Sequence, residues 1–140
     1  MNVRRAIIIG LLLWIAALII GLILFFITRN TSLSDTFLSI IGLIFLVVLT
    51  AIASFVYFGG KKKVEINPKE GLLLGGVFFI VSVVLDTITF IPFVSVAGSS
   101  VSLLAYYISP AFLIGLILIL AVPSLVGYIA RSKARKKHRK

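Results

Sequence analysis

The chain has no cysteine, one histidine and four acidic residues, Asp35, Glu65, Glu70 and Asp86. Without cysteine there is neither a disulfide nor a thiolate metal site. The lone histidine, His138, lies in a terminal basic run, so there is no histidine ligand set and no Ser-His or Cys-His pair for nucleophilic catalysis. A protease built on paired aspartates is excluded as well, because from Gly71 to Ala130 Asp86 is the only ionisable side chain apart from tyrosine hydroxyls. Gly75 and Gly76 lack the Lys and Ser or Thr that complete a phosphate-binding loop. These absences describe a non-enzymatic chain with no metal and no cofactor.

Charge is also scarce. At 13% charged and 61% hydrophobic, with mean hydropathy +1.23, the composition is that of a membrane protein. A bilayer core about 30 Å thick is crossed by about 20 helical residues. Four apolar runs meet that length, so the expected fold is all-α, a polytopic bundle of four transmembrane helices at about 6–28, 36–58, 68–93 and 104–130. The single domain covers 1–130, and 131–140 form a basic tail. Arg4 and Arg5 precede the first run as in a secretory signal, but that run is too long for a signal core and lacks a small-residue cleavage site, so a retained span is expected.

The net charge of +10 is concentrated. If four spans alternate, every Lys and Arg except Arg29 falls on one side: Arg4 and Arg5, then Lys61, Lys62, Lys63 and Lys69, then the tail from Arg131 onwards. The positive-inside rule makes both termini cytoplasmic, and the plasma membrane is the expected location. Arg131, Lys133, Arg135, Lys136 and Lys137 are placed to meet anionic headgroups, each adding at most about 1 kcal/mol under salt screening. The lipid bilayer is thus the expected partner, together with further copies or a larger membrane complex, and nucleic acid is not.

The middle loop, GGKKKVEINPKEG, contains a stop and a restart. Gly59 and Gly60 are suited to a left-handed helix end, while Asn67, Pro68 and Glu70 read as an N-cap, a first-turn proline and the acid of a capping box. A start at Pro68 puts Asp86 roughly 27 Å along its helix, in the outer third of the membrane. Arg29 closes the first helix at what the sequence suggests is a similar level, within snorkelling reach. Residues 94–109 read as an outer connection on the membrane surface, with Tyr106 and Tyr107 in the aromatic belt. The fourth helix starts either near residue 104 with a kink at Pro110, or at Ser109 and Pro110 as cap and first turn; Pro123 lies inside both versions.

Membrane helices pack through small residues. The first helix has Ala6, Gly10, Ala17 and Gly21 on one face; the third has Gly71, Gly75, Ser82, Asp86 and Thr89. The second has a looser set, Ser39, Gly42, Thr50, Ala53 and Ser54. Trp14, mid-span, needs a hydrogen-bond partner for its indole N–H. An ionisable residue within a span is a functional-site candidate, so Asp86, with Ser82, Thr89 and Arg29, forms the candidate polar site.

In size, four spans and inward basic clusters the chain resembles the small multidrug transporters and the small fluoride channels, which work as dimers. It lacks the first-helix membrane glutamate of the former and the glycine-asparagine patterns of the latter. The plan is also similar to small four-helix prokaryotic integral membrane proteins, a likeness of architecture without a specific motif. No functional residue carries over. Two functions are expected from the residues: a bundle acting through self-assembly or as a subunit or accessory of a membrane complex, and a minimal oligomeric transporter or channel for a small solute or ion using Asp86.

Overall fold

The computed structural model describes residues 1–29, 34–60, 67–97 and 107–137, and within them all side chains except those of residues 25, 28, 29, 35, 90–97 and 133–137. The described chain is all-α. Its four long helices are α1 (Val3–Arg29), α2 (Asp35–Phe58), α3 (Pro68–Ala97) and α4 (Pro110–Lys137). Each is long and apolar enough to cross a membrane.

Local chemistry accounts for the helix starts. Asn2 caps α1, its Oδ1 accepting from the Arg5 N–H at 3.2 Å, so the helix opens earlier than the apolar run alone indicates. Ser34 does the same for α2 through the Phe37 N–H. Asn67 Oδ1 accepts from the Glu70 N–H at 2.7 Å, and Pro68 opens α3. Ser109 Oγ accepts from the Phe112 N–H, and α4 begins at Pro110; residue 104, the alternative start, lies outside the described residues. With Pro110 in the first turn its missing N–H removes no helical bond, and no kink arises there.

The ends differ from expectation in two respects. Gly59 terminates α2 with φ −77° and ψ −4°, a right-handed conformation, and Gly60 is not left-handed either. A Cβ on Gly60 would meet the Arg5 guanidinium, the far end of a flexible side chain, so what neighbours this position is a group from another helix and not a left-handed turn of its own. At the other end of the chain α4 runs through Arg131 to Lys137, so the first part of the basic tail is helical. Lys and Arg are good helix formers and complement the negative end of the helix dipole.

The helices alternate in direction and form a ring in the order α1, α2, α4, α3, with α3 against α4 the most extensive contact. Consecutive helices α2 and α3 therefore sit across the bundle from each other. The start of α1, the end of α2, the start of α3 and the basic part of α4 share one end, here called the basic end. In the half nearest it the core is closed: Ala6, Tyr57, Leu74 and Phe78 are fully buried, joined by Ile9, Leu13, Ala53, Val122 and Val126. The circumference is aliphatic and aromatic, with Leu12, Phe26, Ile80 and Ile117 each at least 60% exposed, as expected of a lipid-facing surface.

The tightest joint is between α3 and α4. A Cβ on Gly71 would lie 2.2 Å from the Pro123 carbonyl oxygen, and one on Gly75 would lie 2.6 Å from that of Ile119. The Ile119 carbonyl is the acceptor that Pro123, lacking an N–H, leaves without its helical donor. The glycine face of α3 thus receives the α4 backbone at the turn that proline has loosened. Gly10 packs against Phe78 and Val81, whereas Gly21 has open space where a Cβ would point. Replacing Gly71 or Gly75 with Ala is expected to lower stability by about 1–3 kcal/mol, because backbone atoms cannot move aside. Gly21→Ala is expected to change it little; equal thermal unfolding of all three variants in detergent would contradict this packing.

Candidate functional site

Away from the basic end the same four helices enclose a partly open cavity of about 410 Å³. The division falls along each helix: α1 lines it from Trp14 to Leu24, α2 from Ser39 to Leu49, α3 from Phe79 to Asp86, and α4 from Ala111 to Ile119. Most of the wall is aliphatic or aromatic, and the polar groups are Asp86, Ser39, Ser82, Ser109 and the Trp14 indole. A concave, mainly apolar space of this size with a few convergent polar groups is the usual form of a small-molecule site.

Asp86 is half-buried, and its Oδ1 accepts a 2.8 Å hydrogen bond from Trp14 Nε1. This one contact provides the partner the indole requires and ties α1 to α3. No basic side chain pairs with Asp86 among the described residues. Contact of Gly10 with Phe78 and Val81 sets the register, so that Asp86 lies level with about residue 15 to 18 of α1. Arg29 closes α1 eleven or more residues further on, roughly 16 Å along the axis. The side chain of Arg29 is outside the described residues.

The other sequence candidates separate. Ser82 lines the cavity with Asp86, as do Ala17 and Gly21. Thr89 is exposed and returns its hydroxyl to the Leu85 and Asp86 carbonyls of its own helix. Gly10, Gly71 and Gly75 are occupied in packing within the chain. Arg131 is exposed, and the side chains of Lys133, Arg135, Lys136 and Lys137 fall outside the described residues. Tyr107 places its hydroxyl 2.6 Å from Thr87 Oγ1 and its ring edge-on to Phe112, while Tyr106 lies outside the described residues.

A second polar cluster closes the basic end. Glu70 is buried, and its carboxylate, expected to return to its own helix start, accepts from Tyr57 OH at 2.7 Å and faces the Met1 amino group at 3.4 Å. The Asn2 N–H donates to Tyr57 OH, Arg5 donates to the Val56 carbonyl, and the Arg5 guanidinium lies 5.8 Å from the Tyr57 ring centre. Sequence reading missed this cluster. Tyr57 and Glu70 are separated by a loop and belong to helices that are not ring neighbours, so no helical spacing relates them.

Between cavity and cluster stand two buried hydroxyls of α2. Ser54 Oγ donates to the Thr50 carbonyl at 2.7 Å. Among the described residues Thr50 Oγ1 has no hydrogen-bond partner although the residue is only 1% exposed, a state that typically costs about 1–3 kcal/mol.

Compared with protein-family models, curated proteins and solved structures, the chain matches none. The residues alone therefore define the site: a one-carboxylate cavity in one half of an apolar bundle, above a closed core. No group of three or more His, Cys, Asp or Glu side chains is placed to hold a metal among the described residues.

Removing the indole donor leaves a carboxylate oxygen unsatisfied in a largely apolar wall. Trp14→Phe is expected to destabilise the bundle by about 1–3 kcal/mol, and Asp86→Asn, which keeps an acceptor, by less than 1 kcal/mol. Unfolding followed by circular dichroism in micelles gives the comparison, and a larger loss in Asp86→Asn would show that the bond does not work this way.

Proposed function

We propose that this is a non-enzymatic membrane bundle whose working part is the cavity at Asp86, where it binds or carries a small solute. The observation that supports this reading is the carboxylate itself, held by Trp14 in the wall of a space large enough for a guest and with no basic side chain paired to it among the described residues. A carboxylate in such surroundings favours a guest that brings positive charge or hydrogen-bond donors.

With both termini in the cytoplasm, the closed core faces inward and the cavity belongs to the outer half of the membrane. The basic part of α4 then lies at the inner headgroups, in contact with anionic lipid. Assembly with further copies, or service as a subunit or accessory of a membrane complex, remains part of the proposal. Its sequence support is narrower, since Gly10, Gly71 and Gly75 are spent inside one chain.

Because the chain has no cysteine, single replacements give clean accessibility data. Ser82→Cys in intact cells is expected to react with a membrane-impermeant thiol reagent added outside, while Leu74→Cys in the closed core is not. Saturable protection of Ser82→Cys by small organic cations, reduced about tenfold or more in an added Asp86→Asn background, would support the carboxylate's role; a tenfold loss corresponds to about 1.4 kcal/mol. Labelling of Ser82→Cys only from the cytoplasmic side, or not at all, would rule the reading out.

A further inference from the structure

Three of the four seams around the cavity are bridged by side chains. Trp14 of α1 holds Asp86 of α3, Phe79 of α3 meets Phe112 of α4, and Leu43 and Leu46 of α2 reach within 4 Å of where a Cβ on Gly115 of α4 would stand. The seam between α1 and α2 differs. It is the least extensive of the four, and in the cavity half it carries Gly21 on α1 and Gly42 on α2. A Cβ on either would meet nothing within 4 Å among the described residues. Exposure falls on the same side. Leu18 and Gly21 of α1 and Phe45 of α2 line the cavity and are exposed, Leu18 at 41% and Phe45 at 42%. None of the lining residues of α3 is exposed, and on α4 only Ala111 is, in the first turn. Leu18 stands at the level of Asp86, and all three exposed residues lie within apolar spans, so the opening faces lipid.

We propose that the guest of this cavity is an amphiphile with a bare ammonium head and one alkyl chain, the head seated on Asp86 and the chain passing out between α1 and α2 into the bilayer. This rests on the cavity being the working site and adds the class of guest. Trp14 occupies Oδ1 of Asp86, while Oδ2 has no hydrogen-bond partner among the described residues and is the acceptor open to an ammonium N–H. The head is bare because no Lys or Arg lines the cavity: a phosphate linked to the ammonium would lie beside the carboxylate without a counter-charge.

The path of the chain follows from the other walls. Below the cavity Leu13, Leu74 and Phe78 are buried in the closed core, which leaves no room for a chain in that direction. The outer mouth carries Ser39 and Ser109 and suits water and small reagents. Only the side opening offers apolar surface continuous with lipid, Leu18 on one edge and Phe45 on the other. A chain placed there stays out of water along its length, and the head alone enters the polar part of the site.

Trp14 is the chain's single tryptophan and touches the site, so its emission reports on the guest directly. The full chain in phosphatidylcholine vesicles is titrated with dodecylammonium at low mole fraction. A saturable shift of Trp14 emission is expected, lost in Asp86→Asn, absent with dodecyl sulfate, and about tenfold or more weaker with a lysophosphatidylethanolamine of equal chain length. Butylammonium, too short to reach the bilayer, should give the same shift at higher concentration. Gly21→Leu with Gly42→Leu fills the opening from positions that have room for a side chain. It should weaken dodecylammonium about tenfold or more and leave butylammonium as in wild type, which also shows that the head site is intact. If the double variant unfolds, Gly21→Leu alone carries the same expectation. Equal weakening of both amines, or of neither, overturns the lateral seat, and dodecyl sulfate or the lysophospholipid acting as well as dodecylammonium overturns the bare ammonium head. Absence of any shift with either amine also overturns the proposal, and Ser82→Cys labelling then separates the failures: intact labelling from outside removes this inference alone, and absent labelling removes the cavity reading with it.

Discussion

The bundle depends on how closely α3 and α4 approach near the basic end. With Gly71 and Gly75 on one side and the Pro123 turn on the other, backbone lies against backbone, which only glycine permits. Further along the same pair the contact is made by large rings, Phe79 against Phe112 with centres 6.3 Å apart. The same two helices thus meet through backbone beside the closed core and through side chains in the cavity wall, where Phe79 and Phe112 both stand.

Interior polar groups of an apolar bundle depend on partners within the protein, and among the described residues only the Thr50 hydroxyl is left without one. The solutions differ at the two levels. Near the basic end Glu70 accepts from Tyr57 OH and faces the Met1 amino group, while Tyr57 OH in turn accepts from the Asn2 N–H, an arrangement that links α3 to α2 and to the start of α1. In the other half Asp86 has the Trp14 indole and an unfilled space beside it. Glu70 is thus tied from two sides, whereas Asp86 has one hydrogen-bond partner among the described residues and faces a cavity.

Much of the fold was legible because membrane spans are written in long apolar runs and helix starts in short polar signals. Asn67-Pro68 and Ser109-Pro110 mark their helices through bonds between adjacent turns. Asp86 drew attention by its isolation. What could not be read concerns distance in sequence: Trp14 and Asp86 are 72 residues apart, and Tyr57 with Glu70 spans the bundle. Each residue signals a need for a partner without naming it. The helix-ending glycines misled for a related reason, since Gly60 answers to Arg5, which comes from another helix.

The ring order has a consequence for how the chain is put together. Helices α1 and α2 are neighbours, as are α3 and α4, whereas α2 and α3 are not. The molecule is therefore two antiparallel hairpins laid side by side, each with its own internal seam. The cavity takes its walls from both hairpins, so it is shared between them, and neither half of the chain possesses it alone.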